Sequence, residues 1–437
     1  MRILVFLAVT CLSLSACSSW LGGNSAPPLP GKRISVLTRD RQIEPDPALQ
    51  ATPIRLPKPE PNADWPQPGG YSQHAMHHMV LGDALKRAWS TSIGSGSSDD
   101  AKLLTQPVVA EGFVFAMDTA GRVSAFDVRN GRRIWRAGVT PKNTSASLAG
   151  GGVAYEDGRL FVATPFGEVV ALEAKDGRIL WRKSVSAPMR GAPTVRAGRV
   201  FAISLDNQTH ALAAADGRSL WSHQGVAESA SLLGGNSPAA DGDVVVSAYS
   251  SGEIYALRVE TGQVLWQDSL TSLRRTDAVS FLTDIRGLPV IDRGRVFAIG
   301  NSDVLVGIDL RTGRRLWERE IGGIQTPWIA GDYLFVISNN SDLIALEAKT
   351  GRVQWLTSLQ KWRDEERQRD RLIWSGPVLA SDRLIATSSN SEAVAVSPYS
   401  GRILGKEKTS DAITIPPVIA QDTLFLLTID GDLVAYR

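Results

Sequence analysis

Few side chains in this sequence could support chemistry, and their spacing limits what each could do. Cys17 follows Leu14-Ser15-Ala16, behind the apolar run Ile3 to Leu14 and the single positive charge of Arg2. A run of that length is too short to cross a bilayer and has the form of an export signal. A cysteine placed directly after small residues at the cleavage point has the form of a lipoprotein acylation site, where several acyl chains would give stable anchoring; the alternative is a plain secretory cleavage site with an incidental Cys. Cys11 lies within the signal, so the processed chain keeps one cysteine, at its first residue, with no pair for an internal disulfide. His74, His77 and His78 are the clustered histidines, but no Asp, Glu or Cys set stands beside them at ligand spacing, and no metal site is expected. Gly150-Gly151-Gly152 and Leu233-Gly234-Gly235-Asn236 would cradle phosphate only ahead of a helix. Both precede strand-like runs, so they read as tight turns. With no nucleophile elbow and no isolated acid pair, no catalytic residue and no cofactor is assigned.

The elements that must position these residues follow from a repeated frame. Its clearest copy is Ala171 to Trp181, with a small residue ten positions before Trp and Gly four before it. The frame recurs at Ala125/Gly131/Trp135, Ala211/Gly217/Trp221, Ala256/Gly262/Trp266, Gly307/Gly313/Trp317 and Ala345/Gly351/Trp355, and a seventh copy, Ala395/Gly401, carries Gly405 in place of Trp. Asn130-Gly131, Asp176-Gly177 and Asp216-Gly217 supply the positive φ that a hairpin turn requires. The Trp offers roughly 150–250 Å² of apolar surface for packing on the next unit. About twenty residues before each Trp lies a short apolar run, such as Val200-Phe201-Ala202-Ile203, without the alternation of a half-exposed sheet, which indicates strands buried on both faces. Self-similarity at a period of 38 to 51 residues points to a propeller. Eight apolar runs accompany seven turn frames, because the last run, from Leu424, reaches Arg437 before a fourth strand. The segment around 85–90, carrying Trp89 in phase with the repeat, supplies that strand. The expected fold is all-β, an eight-bladed β-propeller of four-stranded antiparallel blades whose ring is closed by the N-terminal strand.

The chain then divides into a signal at 1–16, a lipidated N-terminus and proline-rich linker at 17–62, and the propeller at 63–437. The linker holds nine prolines, from Pro27 to Pro61, and is expected to be extended and semi-rigid, holding the ring off the membrane. Charge is nearly balanced, 47 basic against 45 acidic residues, so no field favours nucleic acid. The dense charged stretch Lys361 to Arg371 has mixed signs and reads as a solvated loop or short helix.

The frame resembles the tryptophan-docking repeat of pyrroloquinoline-quinone dehydrogenases and their relatives. Together with the acylation site and the eight blades, it resembles the BamB family of outer-membrane lipoproteins that serve β-barrel assembly. That resemblance covers about residues 64–437 and the signal. It implies a non-enzymatic scaffold bound to the POTRA domains of BamA and to other subunits of the assembly machinery, and in reach of nascent outer-membrane proteins. It also implies a place on the periplasmic face of the outer membrane, where Ser18 after the cysteine accords with sorting to that membrane. Met189-Arg190-Gly191-Ala192-Pro193 resembles the family loop whose Arg contacts BamA, and Leu282-Thr283-Asp284-Ile285-Arg286-Gly287 resembles the acidic loop beside it. Met189, Arg190, Asp284 and Arg286 are therefore the expected partner-binding residues, and Trp89, Trp135, Trp181, Trp221, Trp266, Trp317 and Trp355 the blade-docking ones. Arg286 stands where the family loop has a second Asp, and Ala187 and Met189 stand where the first has leucines. The repeat also fits a periplasmic quinoprotein dehydrogenase, though such enzymes carry an adjacent-cysteine disulfide that this chain cannot form. An unassigned propeller-type binding lipoprotein is the third alternative.

Overall fold

The computed structural model describes residues 43–49, 51–141, 149–228, 234–271 and 283–437. The signal at 1–16, Cys17 and the proline-rich stretch as far as residue 42 lie outside the described residues.

Each copy of the frame folds as the end of a four-stranded antiparallel sheet, and eight such blades form a propeller. Blade 1 comprises Val108–Ala110, Phe113–Met117, Arg122–Asp127 and Arg133–Gly138, numbered outward from the axis. Blades 2 to 7 begin at Gly152, Thr194, Ala239, Val290, Trp328 and Trp374. Blade 8 comprises Val418–Ala420, Thr423–Leu427 and Asp432–Tyr436, and its outer strand is Arg87–Ser92 from the other end of the chain. Trp89 pairs with Ala435, Thr91 with Leu433, and Lys86 and Arg437 exchange backbone hydrogen bonds of 2.7 and 2.9 Å beyond the strand. The closing strand begins two residues later than the sequence suggests, and its role is the expected one.

Every part of the frame has a contact that explains it. The small residue is the cross-strand partner of the Trp, as in Ala171 opposite Trp181 and Ala211 opposite Trp221, so the indole lies flat over a strand with no bulk beneath it. An extra residue between turn and Trp makes a β-bulge that turns the indole toward the following blade. There it covers the turn glycine: a Cβ on Gly217 would stand 2.6 Å from Trp181, and φ of +73° already excludes most side chains. The indole Nε1–H of Trp181 donates to Ala214 O at 3.0 Å, and Trp89, Trp135, Trp221, Trp266, Trp317 and Trp355 donate to the equivalent carbonyl of the next blade at 2.6 to 3.1 Å. A core phenylalanine of the same blade backs most of them, with Phe161 and Trp181 centroids 6.0 Å apart.

Gly405 has a physical account. The tryptophan of blade 7 would need a turn between the third and fourth strands of blade 8, and those strands belong to opposite ends of the chain. No turn exists to receive an indole. A Cβ at Gly405 would meet nothing within 4 Å, and the strand Ile403–Lys408 is exposed at every residue.

Two expectations change. Lys361 to Arg371 forms an antiparallel hairpin, Trp362–Asp364 with Arg369–Arg371, stiffened by the Arg371 guanidinium 5.8 Å above Trp362. Residues 43–49 and 51–62, expected within a stand-off linker, instead lie on the blades: Asp46 N donates to Val353 O, and Ile54 is buried in the core. The three histidines belong to this N-terminal stretch and diverge. His74 bonds Pro289 O at 2.7 Å, His77 approaches Asp292 at 3.4 Å, and His78 donates to Pro57 O while accepting from Asp382 N. Burial holds His74 far below the ordinary histidine range, at about 4, against the opposing effect of the Pro289 carbonyl.

Trp181→Ala should cost about 3–5 kcal/mol, read as a lower midpoint in urea unfolding. Gly405→Trp should leave the midpoint unchanged; a gain would mean that the seam can receive an indole after all. His74 binds its proton near pH 6.5 when unfolded and near 4 when folded. Its contribution is therefore complete above pH 6.5 and falls as pH drops toward 4, by on the order of 3 kcal/mol. Melting His74→Asn and the parent protein at pH 7 and pH 4.5 should show a smaller acid-induced loss in the variant.

Candidate functional site

In an antiparallel blade, the connections from outer strand to next inner strand emerge on the same face as the turns between second and third strands. The loops carrying Arg190 and Asp284 are both of this kind, joining blades 2 and 3 and blades 4 and 5. The intervening loop, between blades 3 and 4, contains Gly234-Gly235-Asn236. All three converge near the axis because glycines let them pack backbone against backbone. A Cβ on Gly235 would stand 2.3 Å from Gly191, one on Gly191 would stand 2.2 Å from Asn236 O, and one on Gly234 would strike the Arg286 guanidinium stem. Gly150 is pressed against the Cα of Arg190 in the same way, and Gly151 N donates to Arg190 O at 3.0 Å. The glycine clusters, expected as tight turns, provide close backbone approach here, which decides which of the described loop segments touch.

The result is a small cleft of about 40 Å³ lined by Arg190, Asn236, Asp284 and Arg286, with Asn207 and Ser250 on its flank. Asp284 is 7% exposed. Its carboxylate raises the affinity of the Arg286 guanidinium for its proton, while burial of that guanidinium acts more strongly in the opposite sense. Arg190 is half-buried at the mouth. Asn236 ties two loops together, its Nδ2 donating to Ile285 O at 2.7 Å and to Ala248 O at 3.2 Å, while its Oδ1 is buried with no hydrogen-bond partner among the described residues. Asn207 does the same for the neighbouring turns, accepting from Ser250 N and Oγ and donating to Val226 O. In the sequence Asn236 is only the end of a glycine run, and no local pattern marks Asn207.

Of the four residues expected to bind a partner, three share this cleft. The fourth does not. Met189 is fully buried, packed with Ala163, Val169 and Val195 between blades 2 and 3, and its backbone N–H is tied to Thr164 O. The loop turns its long apolar side chain inward because the gap between two blades is the drier place for it. It therefore supports Arg190 from beneath and offers nothing to the surface. The cleft is far smaller than the roughly 300–1,000 Å³ of a small-molecule pocket. Among the described residues no group of three or more His, Cys, Asp or Glu could hold a metal ion.

Comparison with known proteins matches this architecture. The sequence profile described as "Outer membrane protein assembly factor BamB" matches residues 86–149 and 119–357. The outer membrane protein assembly factor BamB of Alkalilimnicola ehrlichii is 34% identical over 357 residues, covering 82% of this chain and 89% of its own. That of Escherichia coli is 30% identical over 349 residues, covering 79% and 86%. Among solved structures, BamB from Moraxella catarrhalis superposes with a TM-score of 0.69 at 19% identity, over 81% of this chain and 100% of that one. A europium-containing methanol dehydrogenase reaches 0.70 at 14% identity, over 86% and 98%, which shows a shared fold. The identity to curated relatives over four-fifths of the chain separates the two likenesses: this chain belongs to the BamB family of outer membrane protein assembly factors.

Proposed function

We propose that this protein is a non-enzymatic scaffold subunit of the outer-membrane β-barrel assembly complex. It would dock the POTRA domains of BamA on the face that carries Arg190, Asp284 and Arg286, and assist the folding and insertion of outer-membrane proteins. The observation that carries this reading is the convergence of two charged loops, 94 positions apart in sequence, on one cleft. Held by glycine packing and by Asn236, they are preorganised for a partner, which lowers the entropic cost of docking. Arg190 and Arg286 would meet the partner directly. Asp284, almost wholly buried, places a negative charge whose field favours the charged Arg286 guanidinium. Cys17 would anchor the chain to the periplasmic face of the outer membrane through its acyl chains.

Titration of purified BamA POTRA domains tests the docking face. Arg190→Ala and Arg286→Ala should each weaken binding by roughly thirtyfold, the loss expected for a hot spot of about 2 kcal/mol. Circular dichroism should show both variants folded. Met189→Ala should instead lower stability by about 2–5 kcal/mol and leave the affinity of the folded fraction unchanged. Parent-like affinity in the Arg190/Arg286 double variant would remove this face from consideration. The anchor is tested separately: Cys17→Ala should move the protein from the membrane to the soluble periplasmic fraction with its melting temperature intact.

A further inference from the structure

The turns between first and second strands emerge on the opposite face, and there the segment from Glu60 to Leu81 makes a complete circuit of the ring. Asn62 accepts from Gln421 N at 2.8 Å and donates through Nδ2 to Ile419 O at 2.6 Å in blade 8. Trp65 exchanges backbone hydrogen bonds with Val109 of blade 1, Pro66 O accepts from Tyr155 of blade 2, and the Gln67 amide exchanges two with Val195 of blade 3. Ser72 follows on blade 4, Gln73 and His74 on blade 5, and His77 O accepts from the Trp328 indole of blade 6. The circuit ends on blade 7, where Met79 bonds Leu379 and Ser381, and His78 accepts from Asp382 N. The blades are visited in ring order, each through its innermost strand. Those inner edges would otherwise present unpaired N–H and C=O groups to the axis.

The two ends of the circuit meet. Glu60 N donates to His78 O at 2.9 Å and Val80 N donates to Glu60 O at 3.1 Å. This junction lies where blade 8 adjoins blade 7, the one seam whose tryptophan is replaced by Gly405. The apolar packing follows the same plan. One core cluster runs through blades 6, 7, 8 and 1, with Trp374, Phe425 and Phe126 among its members, and takes in Ile54, Trp65, Met76, Met79 and Leu81 of the N-terminal stretch. Trp65 is fully buried and stacks on Trp328 with centroids 6.3 Å apart, reaching from blade 1 to blade 6. The circuit also precedes residue 86, where the family match begins.

We infer that residues 60–81 are a closure strap whose specific task is to hold the seam between blades 7 and 8, replacing there the indole staple that the chain's own topology forbids. The ring thus has two closures. The strand Arg87–Ser92 completes blade 8 and carries Trp89 onto blade 1, securing one side of that blade; the strap secures the other.

Hydrogen–deuterium exchange on the full-length protein separates a seam clasp from a general brace, because it resolves opening strand by strand. Asn62→Ala with His78→Ala removes the side-chain bond of the strap to Ile419 O of blade 8 and the imidazole bond to Asp382 N of blade 7, weakening its hold on both sides of the seam. Gln67→Ala cuts two hydrogen bonds to blade 3 and serves as the comparison. In the double variant, exchange in Trp374–Ala380, Val418–Ala420 and Thr423–Leu427 should quicken by about tenfold or more, with blades 2 to 4 unchanged. Gln67→Ala should leave the seam as it is in the parent. Unchanged exchange at the seam, acceleration spread evenly over all eight blades, or an equal effect at the seam from Gln67→Ala would each overturn the inference. If the double variant does not fold, Asn62→Ala alone is read by the same criterion.

Discussion

The structure depends on one interaction made seven times: an indole laid over the glycine of the next blade, with its N–H bonded to that blade's carbonyl. Each part requires the others. The glycine must lack a Cβ for the indole to reach the turn, and it must accept positive φ for the turn to form. The small residue opposite the Trp must be small for the indole to lie flat, and the bulge must be present to aim it. A large apolar surface thereby becomes a directional joint, since the hydrogen bond can form in a single orientation. Blade-to-blade geometry is fixed locally, and a ring of this size needs no single large core.

That local rule explains why so much of the fold is legible in the sequence. A contact repeated at fixed spacing leaves a periodic trace, and Trp181 with Gly177 and Ala171 carries enough of it to give blade number, strand order and the closing strand. The site is less legible for the same reason. Asn236 and Gly234 matter because they face Gly191 and Arg286 on other loops, and that relation occurs once. Met189 shows the limit of reasoning from a loop's resemblance alone. Its neighbour Arg190 is carried to the cleft, while Met189, one residue earlier, points into the gap between two blades. Residue type favours that burial, but sequence position alone does not disclose it.

The N-terminal stretch hid its structure more completely. Its prolines as far as Pro61 read as a spacer and the residues from 63 as part of the propeller, and proline does disfavour a regular strand or helix through Glu60 to Pro68. A strap that bonds to a different blade every few residues has no use for regular structure. Pro66 offers its carbonyl to Tyr155, and its missing N–H costs nothing where the chain meets each inner edge through one or two bonds. The features that exclude a strand are those that permit a circuit, so the same composition serves a free linker and a bound strap equally well.

The two faces of the ring consequently answer to different constraints. On one, backbone groups at the inner edges are paired by the strap, and the axis is filled by Trp65 and Trp328. The segment touches every blade, and its two ends meet at the seam between blades 7 and 8. On the other, the described parts of the loops between blades 2 and 3, 3 and 4, and 4 and 5 pack on one another through glycines. Ring closure needs the first face and leaves the second free to specialise. The cleft of Arg190, Asp284 and Arg286 is on the second, where charged side chains can be carried at no cost to the joints that hold the blades together.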